Sequence, residues 1–131
     1  MTTVPSMVLD TSVVVRHFRE AGAVSSRLAG CEELCLPHVA LGELYAGAYR
    51  SARTQKNLAQ IEQFLGAVTV MLPDEQTAGH YGRISAQLAK QGRLIPQNDI
   101  WIAAFAMQWN LPLATCDGHF SNVQGLSVEL W

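Results

Sequence analysis

Charge is scarce in this 131-residue sequence. Asp, Glu, Lys and Arg make up 15 % of it, against 49 % apolar residues. That balance leaves enough apolar surface to offset the entropy of ordering the chain, so intrinsic disorder is excluded. Long apolar runs are missing too. The longest, Ile100 to Met107, has eight residues, where a membrane-spanning helix needs roughly 20. Met1 to Met7 contains neither a basic stretch nor an extended apolar one, so no secretory leader is expected and the expected location is cytoplasmic. Cysteine is rare and odd in number: Cys31, Cys35 and Cys116. Three thiols do not make a disulfide framework, and no Cys or His pair near them has a zinc-site spacing. They read as small buried apolar residues. Repeats, low-complexity tracts and linkers are also absent, so residues 1–131 are expected to form one domain.

An excess of basic charge is lacking as well. Nine Lys and Arg stand against eleven Asp and Glu, a net charge of −2. Nucleic-acid binders usually carry a basic patch. Four carboxylates held on metal, however, would leave nine cations against seven acids, or +2. Net charge therefore excludes no partner class. The mean hydropathy of +0.11 points to apolar surface that a partner or a second copy covers.

What is present is an alternation of short apolar runs and longer helix-period stretches. Met7-Val8-Leu9, Leu34-Cys35-Leu36, Val68 to Leu72, Pro112 to Thr115 and Ser127 to Leu130 read as strands. Ser12 to Phe18 reads as a helix with Ser12 as its N-cap. Leu41, Leu44, Tyr45, Ala48 and Tyr49 mark a second helix, and Leu58, Ile61, Phe64 and Leu65 a third that starts near Thr54. Asp74 to Gln91 is a fourth, with Ala78, Tyr81, Ile84 and Leu88 inward and Gly92 as its stop. Ile100 to Met107, apolar nearly all round, is a buried helix. Strands alternating with helices need crossover connections. The expected fold is α/β, with three layers and a mostly parallel central sheet of four to five short strands.

Ligands of open parallel sheets bind beyond the carboxyl ends of the strands. Asp10 ends the first strand and Asp117 follows the strand ending at Thr115 or Cys116, so both carboxylates are expected at that edge. Asp99 precedes the buried helix and points inward from its N-terminus. Glu43 sits on an otherwise apolar helix among Val39, Ala46 and Gly47, with no cation in that set. Converging carboxylates raise one another's pKa unless a cation neutralises them. Four in one cleft imply a hard cation, Mg²⁺ or Mn²⁺, which prefer oxygen ligands. Taken singly, each acid has a plainer reading: a turn, an N-cap or a solvated helix position.

The blocks that carry these acids resemble a known family. Val8-Leu9-Asp10-Thr11-Ser12, Leu41-Gly42-Glu43-Leu44-Tyr45-Ala46-Gly47-Ala48, Ile95-Pro96-Gln97-Asn98-Asp99-Ile100-Trp101-Ile102-Ala103-Ala104 and Thr115-Cys116-Asp117-Gly118-His119-Phe120 stand in the order of a PIN-domain ribonuclease of the VapC toxin type. The resemblance spans essentially the whole chain. It implies Mg²⁺- or Mn²⁺-dependent RNA cleavage with one or two ions on Asp10, Glu43, Asp99 and Asp117, a homodimer, and inhibition by a cognate VapB-like antitoxin. One to two metals on these acids would activate water for in-line attack at phosphorus. Thr11, Ser12, Asn98 and Thr115 are candidates to hydrogen-bond and orient the carboxylates. Arg50, Arg53 and Lys56, spaced by three, are candidates for phosphate contact, with Arg16 and Arg19 a second set. His119 reads as a surface or packing histidine. The helices around Leu41 to Tyr49 and Leu58 to Leu65 are expected to form a groove for an amphipathic partner helix. Asp10-Thr11-Ser12 also resembles the aspartic-protease triplet, but those enzymes are β-rich. The alternative that remains is a non-catalytic PIN-fold module that binds RNA or a protein partner.

Overall fold

The computed structural model describes residues 6–20 and 22–131. Most of the Met1 to Met7 segment read above for a leader lies outside them. Five strands form one sheet: β1 Met7–Leu9, β2 Leu34–Pro37, β3 Thr69–Met71, β4 Leu113–Thr115 and β5 Val128–Leu130. Their order is β3-β2-β1-β4-β5, and every pairing is parallel. The helices are α1 Thr11–Arg19, α2 Ala23–Ala29, α3 His38–Arg50, α4 Thr54–Leu65, α5 Glu75–Lys90 and α6 Gln97–Trp109, followed by a 3-10 turn at Gly118–Asn122. They cover the sheet in three α/β/α layers, as expected.

The short apolar runs of β1, β2 and β4 form the centre of the sheet because a parallel strand covered on both faces must be apolar throughout, while the edge strands β3 and β5 are only partly buried. β1 and β4 are buried at all three positions. The low hydrophobic asymmetry expected of α6 has the same cause: Ile100, Ile102, Ala103, Ala104, Phe105 and Ala106 are all buried. Its alanines let neighbouring elements approach closely.

Several local expectations shift. α2 was not marked by the sequence pattern; its segment, AVSSRLA, has two serines and no long apolar stripe. Asp10, not Ser12, occupies the N-cap position of α1, and its carboxylate makes no cap bond. At α5, Asp74 and Thr77 form a reciprocal capping box. Thr77 is fully buried and its hydroxyl also pairs with Gln108 of α6, whereas Ala78 is exposed. The capping bonds thus turn the first turn of α5 so that Thr77, in place of Ala78, faces inward. Gly92, at φ +66, ends α5 as expected.

The strand order fixes where a site can form. From β1 the chain moves one way through β2 and β3, then returns to add β4 and β5 on the other side. The carboxyl ends of β1 and β4 flank this switch point, where α/β sheets open a crevice. The register sets Leu9 beside Ala114, so the next residues, Asp10 and Thr115, meet at its rim.

The core explanation predicts uneven sensitivity to truncation. Ile102→Ala, at a fully buried α6 position, should cost about 2–5 kcal/mol in urea unfolding. Leu72→Ala, at a position 73 % exposed, should change stability by under about 0.5 kcal/mol. Equal losses would contradict this placement of the core.

Candidate active site

Asp10 is the most deeply held of the four acids, at 4 % exposure. Two hydroxyls fix its carboxylate. Ser12 Oγ donates to Oδ2 at 2.6 Å, and Thr115 Oγ1 donates to the same oxygen at 2.8 Å. Each hydroxyl also accepts a backbone N–H from the segment after β4: Cys116 N to Ser12 at 3.0 Å and Asp117 N to Thr115 at 2.9 Å. Two small side chains therefore bind the carboxyl end of β1 to that of β4 while aiming Asp10. Every buried side-chain polar atom among the described residues has a partner, as buried networks require.

Glu43, half-buried on α3, accepts a hydrogen bond from Thr11 Oγ1 at 2.7 Å. Thr11 opens α1 immediately after Asp10, so one turn orients two of the acids. Asp99 lies in the first turn of α6, with its side chain 16 % exposed. Burial pushes its carboxyl above the usual carboxylate range; the negative fields of Asp10 and Glu43 add to the rise, and His119 opposes it. Asp117 starts the 3-10 turn, and its side chain is 48 % exposed.

His119 corrects the sequence reading. Its Nε2 lies 2.6 Å from Asp99 Oδ2 and its Nδ1 2.8 Å from Asp117 Oδ1. The ring thus bridges two of the proposed site acids and is not a packing residue. The signal was its place two residues after Asp117. In the 3-10 turn, Asp117 Oδ1 also accepts His119 N at 3.4 Å, which folds the two side chains together.

The other candidates divide. Thr11, Ser12 and Thr115 contact the acids as expected. Asn98 is exposed and hydrogen-bonds none of them among the described residues; it precedes Asp99 on α6 but faces solvent. Arg53, Lys56 and Arg19 line a cleft of about 380 Å³ between α1, α3 and α4, with Glu43 in its wall. Beyond the cation-free set of Val39, Ala46 and Gly47, α1 and the start of α4 bring basic residues to the cleft that Glu43 borders, and among the described residues none pairs with it. Arg50 is exposed outside that lining. Arg16 donates to the Trp131 carbonyl at 3.2 Å and pairs loosely with Glu20, and it lines a separate depression.

The thiols take no part in this chemistry. Cys35 is buried, and Cys31 and Cys116 are half-buried. Burial raises the Cys31 and Cys35 thiols further, aided by Glu129 and Glu33 respectively, so neither is an activated nucleophile.

The PIN domain family profile matches residues 7–126. The chain belongs to the PIN domain family. Within it the chain is similar to VapC ribonucleases. It is 36 % identical to ribonuclease VapC2 of Haemophilus influenzae over 126 residues, covering 94 % of this chain and 96 % of that one. It is 38 % identical over 100 residues to the tRNA(fMet)-specific endonuclease VapC of Shigella flexneri, with 76 % of each chain covered. Among solved structures, this PIN domain superposes on the DNA-bound VapBC of Salmonella typhimurium at a TM-score of 0.89 and 28 % identity, covering 98 % of this chain and 99 % of that one. VapBC-1 of nontypeable Haemophilus influenzae gives 0.87 and 29 %, covering 96 % and 98 %.

The electrostatics of the acids give a signed prediction. A carboxylate raised in the fold holds its proton more tightly folded than unfolded. Metal-free stability is therefore lost as pH rises from the ordinary carboxylate range through the raised value of Asp99. An amide has no such proton to release. In EDTA at about pH 7, Asp99→Asn should melt above the parent protein, and the gap should close on acidification toward about pH 4. A parent protein that melts at or above the variant at neutral pH would contradict it.

Proposed function

We propose that this PIN domain is a divalent-metal-dependent endoribonuclease, the toxin of a toxin–antitoxin pair. The observation that carries the reading is the uncompensated acidity at the switch point. The charges of Asp10 and Glu43 both bear on Asp99, Asp117 joins it through His119, and among the described residues no Lys or Arg pairs with any of the four. An all-oxygen set of this kind fits Mg²⁺ or Mn²⁺. The residues that would hold one or two such ions are Asp10, Glu43, Asp99 and Asp117. A bound ion would supply an acidified water and positive charge for the oxygens of an in-line displacement at phosphorus.

The chain's own residues do the positioning. Ser12 and Thr115 hold the Asp10 carboxylate in one orientation, and Thr11 does the same for Glu43. Such partners keep a ligand set in shape before anything binds. Arg53, Lys56 and Arg19 make the neighbouring cleft attractive to phosphates and lead the backbone of a strand toward Glu43.

The partner reading follows from the same cleft. Val15, Phe18, Leu44 and Ile61 give it an apolar floor, and its basic rim borders an acid of the site. A VapB-like antitoxin segment seated there would exclude RNA. Its walls include α1 as well as the two helices expected from the sequence. Tyr49, Leu72, Leu94 and Trp109 remain exposed, which supports a homodimer that covers part of this surface. No helix among the described residues is long and apolar enough to cross a membrane; we place the protein in the cytoplasm, beside its RNA substrate.

The deciding experiment is cleavage of a fluorescent RNA by antitoxin-free protein with Mn²⁺ or Mg²⁺, with EDTA, and with Asp99→Asn. Cleavage that needs metal and is lost in the variant is the expected result. A folded protein that neither cleaves nor binds metal would instead be a non-catalytic binding module. For the cleft, Arg53→Ala with Lys56→Ala should weaken RNA binding and reduce the salt slope by about 0.7 per lost single-strand phosphate contact. An unchanged slope would remove these two residues from the RNA path.

A further inference from the structure

His119 is the one imidazole in contact with the acid cluster among the described residues, and it touches two of its members at once. Asp99, Asp117 and His119 each offer a ligand atom within 4.8 Å of the others. We propose that His119 is itself a metal ligand, through Nε2, and that it shifts the site's selectivity from Mg²⁺ toward first-row transition ions. This rests on the metal-dependent reading above and deepens it.

The geometry assigns the two ring nitrogens different tasks. Nδ1 lies 2.8 Å from Asp117 Oδ1. A proton there donates to the carboxylate and fixes the ring, so that Nε2 presents its lone pair once the proton it shares with Asp99 is released. That is the carboxylate–histidine–metal arrangement, in which one nitrogen is oriented so that the other can bind. Nε2 faces Asp99, the more buried of the two acids. Adjacent ligands of a six-coordinate ion with bonds of 2.0–2.1 Å lie about 3 Å apart. The Nε2···Oδ2 separation of 2.6 Å is a few tenths shorter and holds one proton between the two atoms, so a small opening of the pair, with that proton released to solvent as the ion enters, would turn a hydrogen bond into two neighbouring ligands. Asp117 keeps its second oxygen for the ion.

The selectivity follows from donor chemistry. Mg²⁺ takes oxygen almost alone and sheds water reluctantly. An imidazole nitrogen in the set favours transition ions. A site of four carboxylates alone would lack that bias.

Mn²⁺ is the probe, because its electron paramagnetic resonance distinguishes free from bound ion and reports nitrogen ligands through spin-echo modulation. Wild-type protein loaded with Mn²⁺ should show coupling to a ligand ¹⁴N. His119→Gln should lose the coupling and bind Mn²⁺ at least about tenfold more weakly, while Mg²⁺ affinity, read by competition, falls less. The wild-type spectrum needs no variant, and circular dichroism melts verify that His119→Gln is folded. Bound Mn²⁺ without nitrogen coupling would overturn the proposal. So would equal or tighter Mn²⁺ binding by His119→Gln, which would make the ring a stand-in cation that metal displaces. Wild-type protein that binds no Mn²⁺ would overturn both this inference and the metal-dependent reading.

Discussion

Mutual repulsion among carboxylates is the constraint around which this molecule is arranged. Burial drives the Asp99 carboxyl upward, His119 opposes the rise, and the neighbouring charges of Asp10 and Glu43 add to it. Folding alone gains nothing from such an arrangement, since Asp10, Glu43 and Asp99 have each given up water for a place near like charges. The structure tolerates it because small hydroxyls hold the acids by hydrogen bonds that do not neutralise them. Ser12 and Thr115 share one oxygen of Asp10, and Thr11 holds Glu43. The result is a site whose charge is oriented but left for a cation to balance.

The sheet makes that placement possible. β1 and β4 are distant in sequence: Leu9 pairs with Ala114, and the hydrogen bond between their neighbours Asp10 and Thr115 spans a separation of 105. Only parallel pairing in this register brings them together. The all-apolar central strands hold the register, because a slip of β1 would draw a flanking polar residue, Ser6 or Asp10, into the apolar interior.

Much of this was legible in the sequence, for a definite reason. Buried parallel strands must be apolar runs, so β1, β2 and β4 left a pattern; surface helices must carry a 3.6-residue stripe, as those around Leu44, Ile61 and Ile84 do, and the buried α6 is apolar nearly all round. Asp10 and Asp117 could be assigned to the sheet edge because strand ends are local features. Thr11, Ser12 and Thr115 were legible as short polar residues beside those acids. His119 was not, since its role depends on a 3-10 turn that swings it toward Asp99, 20 residues away. The separation of Arg53 and Lys56 from Arg50 was hidden likewise: all three share a spacing, but Arg50 ends α3 while Arg53 takes the N-cap position of α4 and Lys56 lies in its first turn. α2 left no stripe to read. What escaped was in each case a matter of which way a side chain turns after the backbone is set.

The central claim is that these acids converge in order to hold a divalent cation. Anomalous X-ray scattering from crystals grown with Mn²⁺ tests it most directly, because it locates the ion without assuming any activity. The account predicts a peak among the carboxylates of Asp10, Glu43, Asp99 and Asp117. No peak there at saturating Mn²⁺, or one confined to a different surface, would contradict it.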